Sequence, residues 1–76
     1  MKQYLNKSGQ SNVYSYEIGT DYILVTFYGR GFQNYLYTYA STGVDNVEKM
    51  KQLAEAGIGL NSFISKIIKH NYERKW

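Results

Sequence analysis

The chain contains no cysteine, so no disulfide can staple it and no thiolate can hold a metal. Nothing argues for an oxidising compartment. It has one histidine, His70, with no second soft ligand and no carboxylate four residues on, which removes the common metal-site spacings. No stretch approaches the roughly 20 apolar residues of a membrane span. The opening Met1-Lys2-Gln3-Tyr4-Leu5-Asn6-Lys7 has no apolar run behind its charge. A soluble cytoplasmic protein is the expectation, with no membrane partner and no cofactor. Catalytic patterns are missing too. No serine sits in a nucleophile motif, Glu17 and Asp21 have nothing marking them as an acid/base pair, and Gly29-Arg30-Gly31 is turn chemistry with one cation, far from a phosphate-binding loop. A non-enzymatic chain with no evident small-molecule substrate is expected. At 76 residues it forms one domain, in the size range where only about 60% of the unfolded surface leaves water.

What the chain has in abundance is tyrosine: nine in all, seven of them between Tyr14 and Tyr39. Aromatic residues at alternate positions suit a pleated, half-buried surface. Residues 1–10 are polar, with Gly9 between Ser8 and Ser11, and read as a flexible N-terminal lead-in. Segment 13–18 reads as a strand, followed by the turn residues Gly19, Thr20 and Asp21. In Tyr22 to Tyr28, Ile23, Val25 and Phe27 alternate with Leu24, Thr26 and Tyr28. After Gly29-Arg30-Gly31, segment 32–40 returns with Tyr35, Tyr37 and Tyr39 at period two. Such short connections demand antiparallel neighbours.

The period then becomes helical. Thr42 with Asp45 forms a variant capping box, Val44, Val47, Met50 and Ala54 share one side, and Gly57 is placed to end the helix. Asp45 and Lys49 stand four apart on its exposed face. Beyond Gly59, Leu60, Phe63, Ile64, Ile67 and Ile68 follow at i, i+3, i+4, i+7 and i+8. The fold class expected is α+β: a three-stranded antiparallel β-meander, then two α-helices packed on one face of the sheet. That face would carry Tyr14, Tyr16, Ile18, Ile23, Val25, Phe27, Tyr35, Tyr37 and Tyr39, because odd and even strand positions point to opposite sides. Most tyrosines then belong to the core, with hydroxyls at its rim.

The net charge of +3 is unevenly placed. Lys2, Lys7, Arg30, Lys49 and Lys51 cancel Glu17, Asp21, Asp45, Glu48 and Glu55. The excess therefore lies in the last eleven residues, where Lys66, Lys69, Arg74 and Lys75 face only Glu73. On a helix, Ser62, Lys66, Lys69 and Glu73 form a stripe opposite the apolar run. With Arg30, His70, Tyr72, Arg74, Lys75 and Trp76, this stripe is a candidate RNA-binding surface: cations for the phosphates and aromatic rings for the bases. The blander reading is a solubilising basic end. A second candidate is the open sheet face, where Tyr22, Leu24, Tyr28 and Leu36 form a patch suited to a protein partner or a second copy in a homodimer. Its bland reading is scattered surface apolar area, and stacking of bases on Tyr22 and Tyr28 is the lesser functional alternative.

Several of these residues resemble the KTSC domain, a small module found at the C-terminus of some lysyl-tRNA synthetases and alone in bacteria and phages. Ser11-Asn12-Val13 is similar to the family's opening, Ile23-x-Val25-x-Phe27 to its Leu-x-Val-x-Phe strand, and the Gly29–Gly31 turn with Tyr35-x-Tyr37 to its Gly-x-Tyr-x-Tyr pattern. Ala56-Gly57-Ile58-Gly59 resembles its Ala-x-Ser-x-Gly joint, and Ile67, Lys69 and Tyr72 its Ile-basic-Tyr ending. Phe63-Ile64 stands where the family has Phe-Asn, so no role of that Asn carries over, and the family's Val-Pro has no proline here. The resemblance implies a single β-β-β-α-α domain over 11–76 and a non-catalytic accessory role near RNA, with tRNA among the candidates.

Overall fold

The computed structural model describes residues 1–76. Its architecture is α+β, with helices on one face of an antiparallel sheet ordered β1-β2-β3-β4-β5. The centre is the hairpin of β3 (Tyr22–Tyr28) and β4 (Phe32–Thr38). Its register pairs Leu24 with Leu36, Val25 with Tyr35 and Tyr28 with Phe32. A three-residue connection closes it, and Gly31 takes a φ of +116° that a side chain would resist.

On the other flank β2 (Val13–Ile18) pairs with β3, but the register slips between Val13 and Ser15. This bulge changes the expected faces. Val13 and Tyr16 both turn inward and are buried, whereas Tyr14 is turned out to the open face and is 49% exposed. One extra residue in a strand inverts side-chain alternation on one side of it, which periodicity alone does not reveal. Ile18 keeps its place opposite Ile23 but stays exposed at the sheet margin.

Five strands replace the expected three because both chain ends join the sheet. Strand β1 (Lys2–Gln3) pairs with β2, and the Tyr4 N–H donates to the Tyr14 carbonyl at 3.0 Å. Residues 1–10 are therefore no lead-in outside the domain. Tyr4 is 3% exposed, and its hydroxyl accepts from the Leu60 N–H at 3.3 Å. The tail likewise makes a strand. In β5 (Arg74–Lys75), Arg74 lies opposite Leu36 and Lys75 opposite Tyr35, while Trp76 exchanges backbone hydrogen bonds with Asn34 at 2.8 and 3.0 Å. The free edges of β2 and β4 present unpaired backbone groups, and these two segments satisfy part of that demand.

The helical half also departs from the period-based expectation. Tyr39 is not a strand residue: it opens a single turn, α1 (Tyr39–Thr42), capped reciprocally by Thr38 and Ser41. Thr42, expected as a cap, is buried and donates its hydroxyl to the Asn71 carbonyl at 2.5 Å. Helix α2 (Val44–Ala56) instead starts from Gly43, with no side-chain cap. It lays Val47, Met50 and Ala54 on β3 and β4 and ends at Gly57 as expected. Gly57 has a φ of +75° and packs so closely on Leu5 that a Cβ would stand 2.6 Å from the leucine Cβ. The ion pair of α2 joins Glu48 and Lys51 at 2.7 Å, and not Asp45 and Lys49.

Helix α3 (Leu60–Phe63) runs into a π-helical turn, Ile64–Ile68, closed by the Lys69 N–H on the Ile64 carbonyl. The wider i→i+5 turn keeps Leu60, Ile64 and Ile68 in the core but swings Ile67 out to 57% exposure. The chain reverses at Lys69 (φ +55°, ψ −113°), so no basic helix continues to the end.

Candidate functional site

The reversal at Lys69 opens a concavity against the sheet. The π turn ends on one side of a groove of about 540 Å³, and β4 with β5 forms the other. Its apolar wall is Phe27, Tyr35, Tyr37, Ile64 and Tyr72; its polar members are Gln33, Asn61, Ser65, Lys69, His70 and Lys75. No carboxylate lines it.

Packing fixes the rings. Tyr72 stands edge-on to Tyr35 with centroids 5.0 Å apart, and Phe27 meets the other side of Tyr35 at 5.2 Å. The Lys75 ammonium lies 5.7 Å from the Tyr35 centroid and 5.9 Å from that of Tyr72, a cation held over two π faces. Tyr37 is 1% exposed, and burial, reinforced by the neighbouring Tyr35 and Tyr72 phenols, pushes its phenol far above the ordinary value. It therefore stays neutral and can serve the groove only as a hydrogen-bonding hydroxyl.

Lys69 carries a backbone conformation that glycine would adopt at less cost, and a π turn precedes it. Backbone outliers of this sort cluster at functional sites, as π turns do.

Of the candidate RNA contacts, the structure brings Lys69, His70, Tyr72 and Lys75 together in the groove. It does not bring the others there. Lys66 is exposed on the π turn outside the groove. Arg30 sits at the tip of the β3–β4 hairpin, beside Tyr28 and Phe32 in a separate cleft. Arg74 and Trp76 lie on the opposite face, the guanidinium 4.8 Å from the indole centroid. The tail splits because alternate residues of a strand point to opposite sides.

The four residues of the second candidate set, Tyr22, Leu24, Tyr28 and Leu36, do share the open face. Tyr22, Leu24 and Leu36 are half-buried and Tyr28 is exposed. Tyr22 donates to Glu17 at 2.8 Å, and that hydrogen bond and charge hold its phenol above the ordinary value. Sequence reasoning missed Tyr14, Phe32 and Trp76 on this face. The parity of β4, counted back from Leu36, places Phe32 there; nothing in the sequence marks the bulge or the return of the tail. Groove residues Phe27, Tyr35 and Tyr37 were expected as core alone, and each is at once core and wall.

No three histidine, aspartate or glutamate side chains converge as a metal site would require. No helix is long and apolar enough to cross a membrane. Fold and groove together define a small α+β domain whose sheet is covered by helices on one face only. No family model, curated protein or solved structure matches the chain.

Proposed function

We propose that this domain is a non-catalytic binding module for single-stranded RNA, held in the groove between the π turn and β5. The observation that carries the reading is the meeting there of Lys69, Lys75 and His70 with the rings of Tyr35 and Tyr72, in the absence of any carboxylate. Cations recognise phosphate, aromatic rings stack on bases, and the amide groups of Gln33 and Asn61 supply donors and acceptors for a base edge. A duplex presents its bases already stacked, so a groove of this size suits an unpaired strand. The proposed kinship with the KTSC domain, resting on the short motifs given above, agrees with an accessory role near RNA, and a cytoplasmic setting belongs to the same reading.

The test is fluorescence anisotropy of a labelled single-stranded RNA and of a tRNA at 50 and 200 mM salt. Two phosphate contacts, through Lys69 and Lys75, give a slope of log affinity on log salt of about −1.4. Lys69→Glu and Lys75→Glu should each abolish measurable binding. Lys66→Glu, with the same change of charge outside the groove, should reduce it only mildly. Equal losses in all three variants would mean that net charge and not the groove binds RNA, and no binding at the lower salt would sink the proposal.

A further inference from the structure

We infer that the open face of the sheet is a second contact for the same RNA strand, which leaves the groove round the β5 edge and stacks two or three further bases on exposed aromatic rings; this rests on the RNA reading of the groove.

Four large rings stand on that face, carried by neighbouring strands. Tyr14 comes from β2, Tyr28 from β3, Phe32 from β4, and Trp76 follows β5 with its backbone paired to Asn34. They are 49%, 56%, 57% and 55% exposed. Phe32 is central, with centroids 4.9 Å from Tyr14 and 5.1 Å from Tyr28. Tyr14, Tyr28 and Phe32 gather into one cluster at the hairpin end of the face, and Trp76, paired with Asn34, adds a further ring one strand over; together they offer stacking positions for two or three bases. The bulge at Tyr14 is what completes it, since a regular β2 would have sent that ring into the core.

The charge on this face is sorted. Arg74 covers Trp76, and Arg30 projects from the hairpin tip beside Tyr28 and Phe32. The carboxylates lie at the other end of the strands and are engaged, Glu17 by Tyr22 and Glu73 by Thr38 at 3.0 Å. Rings flanked by arginines and free of acid complement a nucleic-acid strand. Two copies joined by this face would set the arginines of one against those of the other, a like-charge contact that opposes self-association. Strand β5 links the sites: Lys75 points into the groove, while Arg74 and Trp76 point to the open face.

The single tryptophan reports on this face directly. Uridine dinucleotide and uridine octamer, neither fluorescent, are titrated into the protein while Trp76 emission and the displacement of a labelled nucleotide from the groove are followed. The octamer should quench Trp76 and bind about tenfold or more tightly than the dinucleotide, with a salt slope of about −2.8 if Arg30 and Arg74 join the two lysines and of about −1.4 if the lysines act alone. Phe32→Ala should lower octamer affinity about fivefold or more and leave the dinucleotide unchanged. Tyr28→Ala is the second variant should Phe32→Ala shift the urea midpoint. Equal affinities for both lengths, or ring variants without effect, would overturn the inference and leave the groove reading standing. No binding of either ligand would remove both. Self-association in sedimentation that depends on Phe32, without quenching of Trp76, would assign the face to a second copy and overturn the inference.

Discussion

Truncating Tyr4 should cripple the domain, although the residue lies in a segment that composition marks as peripheral. The ring is 3% exposed, and its hydroxyl is the acceptor for the N–H of the fully buried Leu60. A buried tyrosine removes about 200 Å² from water, which at about 25 cal/mol per Å² amounts to roughly 5 kcal/mol. Residual burial in the unfolded chain lowers this by about 10–40%, so Tyr4→Ala should cost about 3–4.5 kcal/mol. A chain of 76 residues is stable by only about 4–11 kcal/mol in total, so the variant loses from about a quarter to all of its stability. Tyr4→Phe keeps the ring but strands the Leu60 N–H, and should cost about 1–2 kcal/mol. Urea unfolding followed by far-ultraviolet circular dichroism measures all three proteins. A Tyr4→Ala variant within about 1 kcal/mol of the parent at unchanged m-value would show that the N-terminal arm is not part of the core, and would refute the reasoning.

Two further expectations follow from the groove. Lys69→Gly relieves a strained backbone worth about 1–3 kcal/mol, partly offset by the greater freedom of glycine in the unfolded chain, so thermal unfolding should show equal or raised stability while RNA anisotropy shows loss of binding; a destabilised variant would contradict the strain argument. Tyr37 has its phenol raised in the folded state above an ordinary value of 10.0, so the folded form holds a proton that the unfolded form releases. Its stabilising contribution is complete below pH 10 and declines above it by about 1.4 kcal/mol per pH unit. Urea midpoints between pH 10 and pH 11.5 should therefore fall less steeply in Tyr37→Phe than in the parent, and parallel slopes would argue against a buried phenol.

The legible parts of this molecule are those governed by local periodicity. The β3–β4 hairpin follows from two segments of alternating character around a glycine-bounded turn, although β4 stops at Thr38 where period two predicts a strand to residue 40. The end of α2 at Gly57 follows from the one residue that takes a left-handed conformation cheaply. The two-residue strands β1 and β5 are too short for any period to show, and they form because β2 and β4 offer unpaired edges. The π turn at Ile64–Ile68 was masked by an apolar run that satisfies an ordinary helix equally well. Among site residues, Lys69, His70, Tyr72 and Lys75 could be named from their chemistry. Their gathering against Tyr35 could not, because it depends on a chain reversal at a lysine.

By itself the amino-acid sequence determined that the chain has no thiol chemistry, that one sheet face is apolar enough to carry helices, and that its excess positive charge lies in the last eleven residues. Composition and period are sufficient for these, since each is a property of neighbours along the chain. Where that charge goes is set by pairing between residues distant along the chain. The tail folds back because the edge of β4 needs backbone partners, and once Arg74 and Lys75 become a strand, alternation sends Lys75 into the groove and Arg74 with Trp76 to the opposite face.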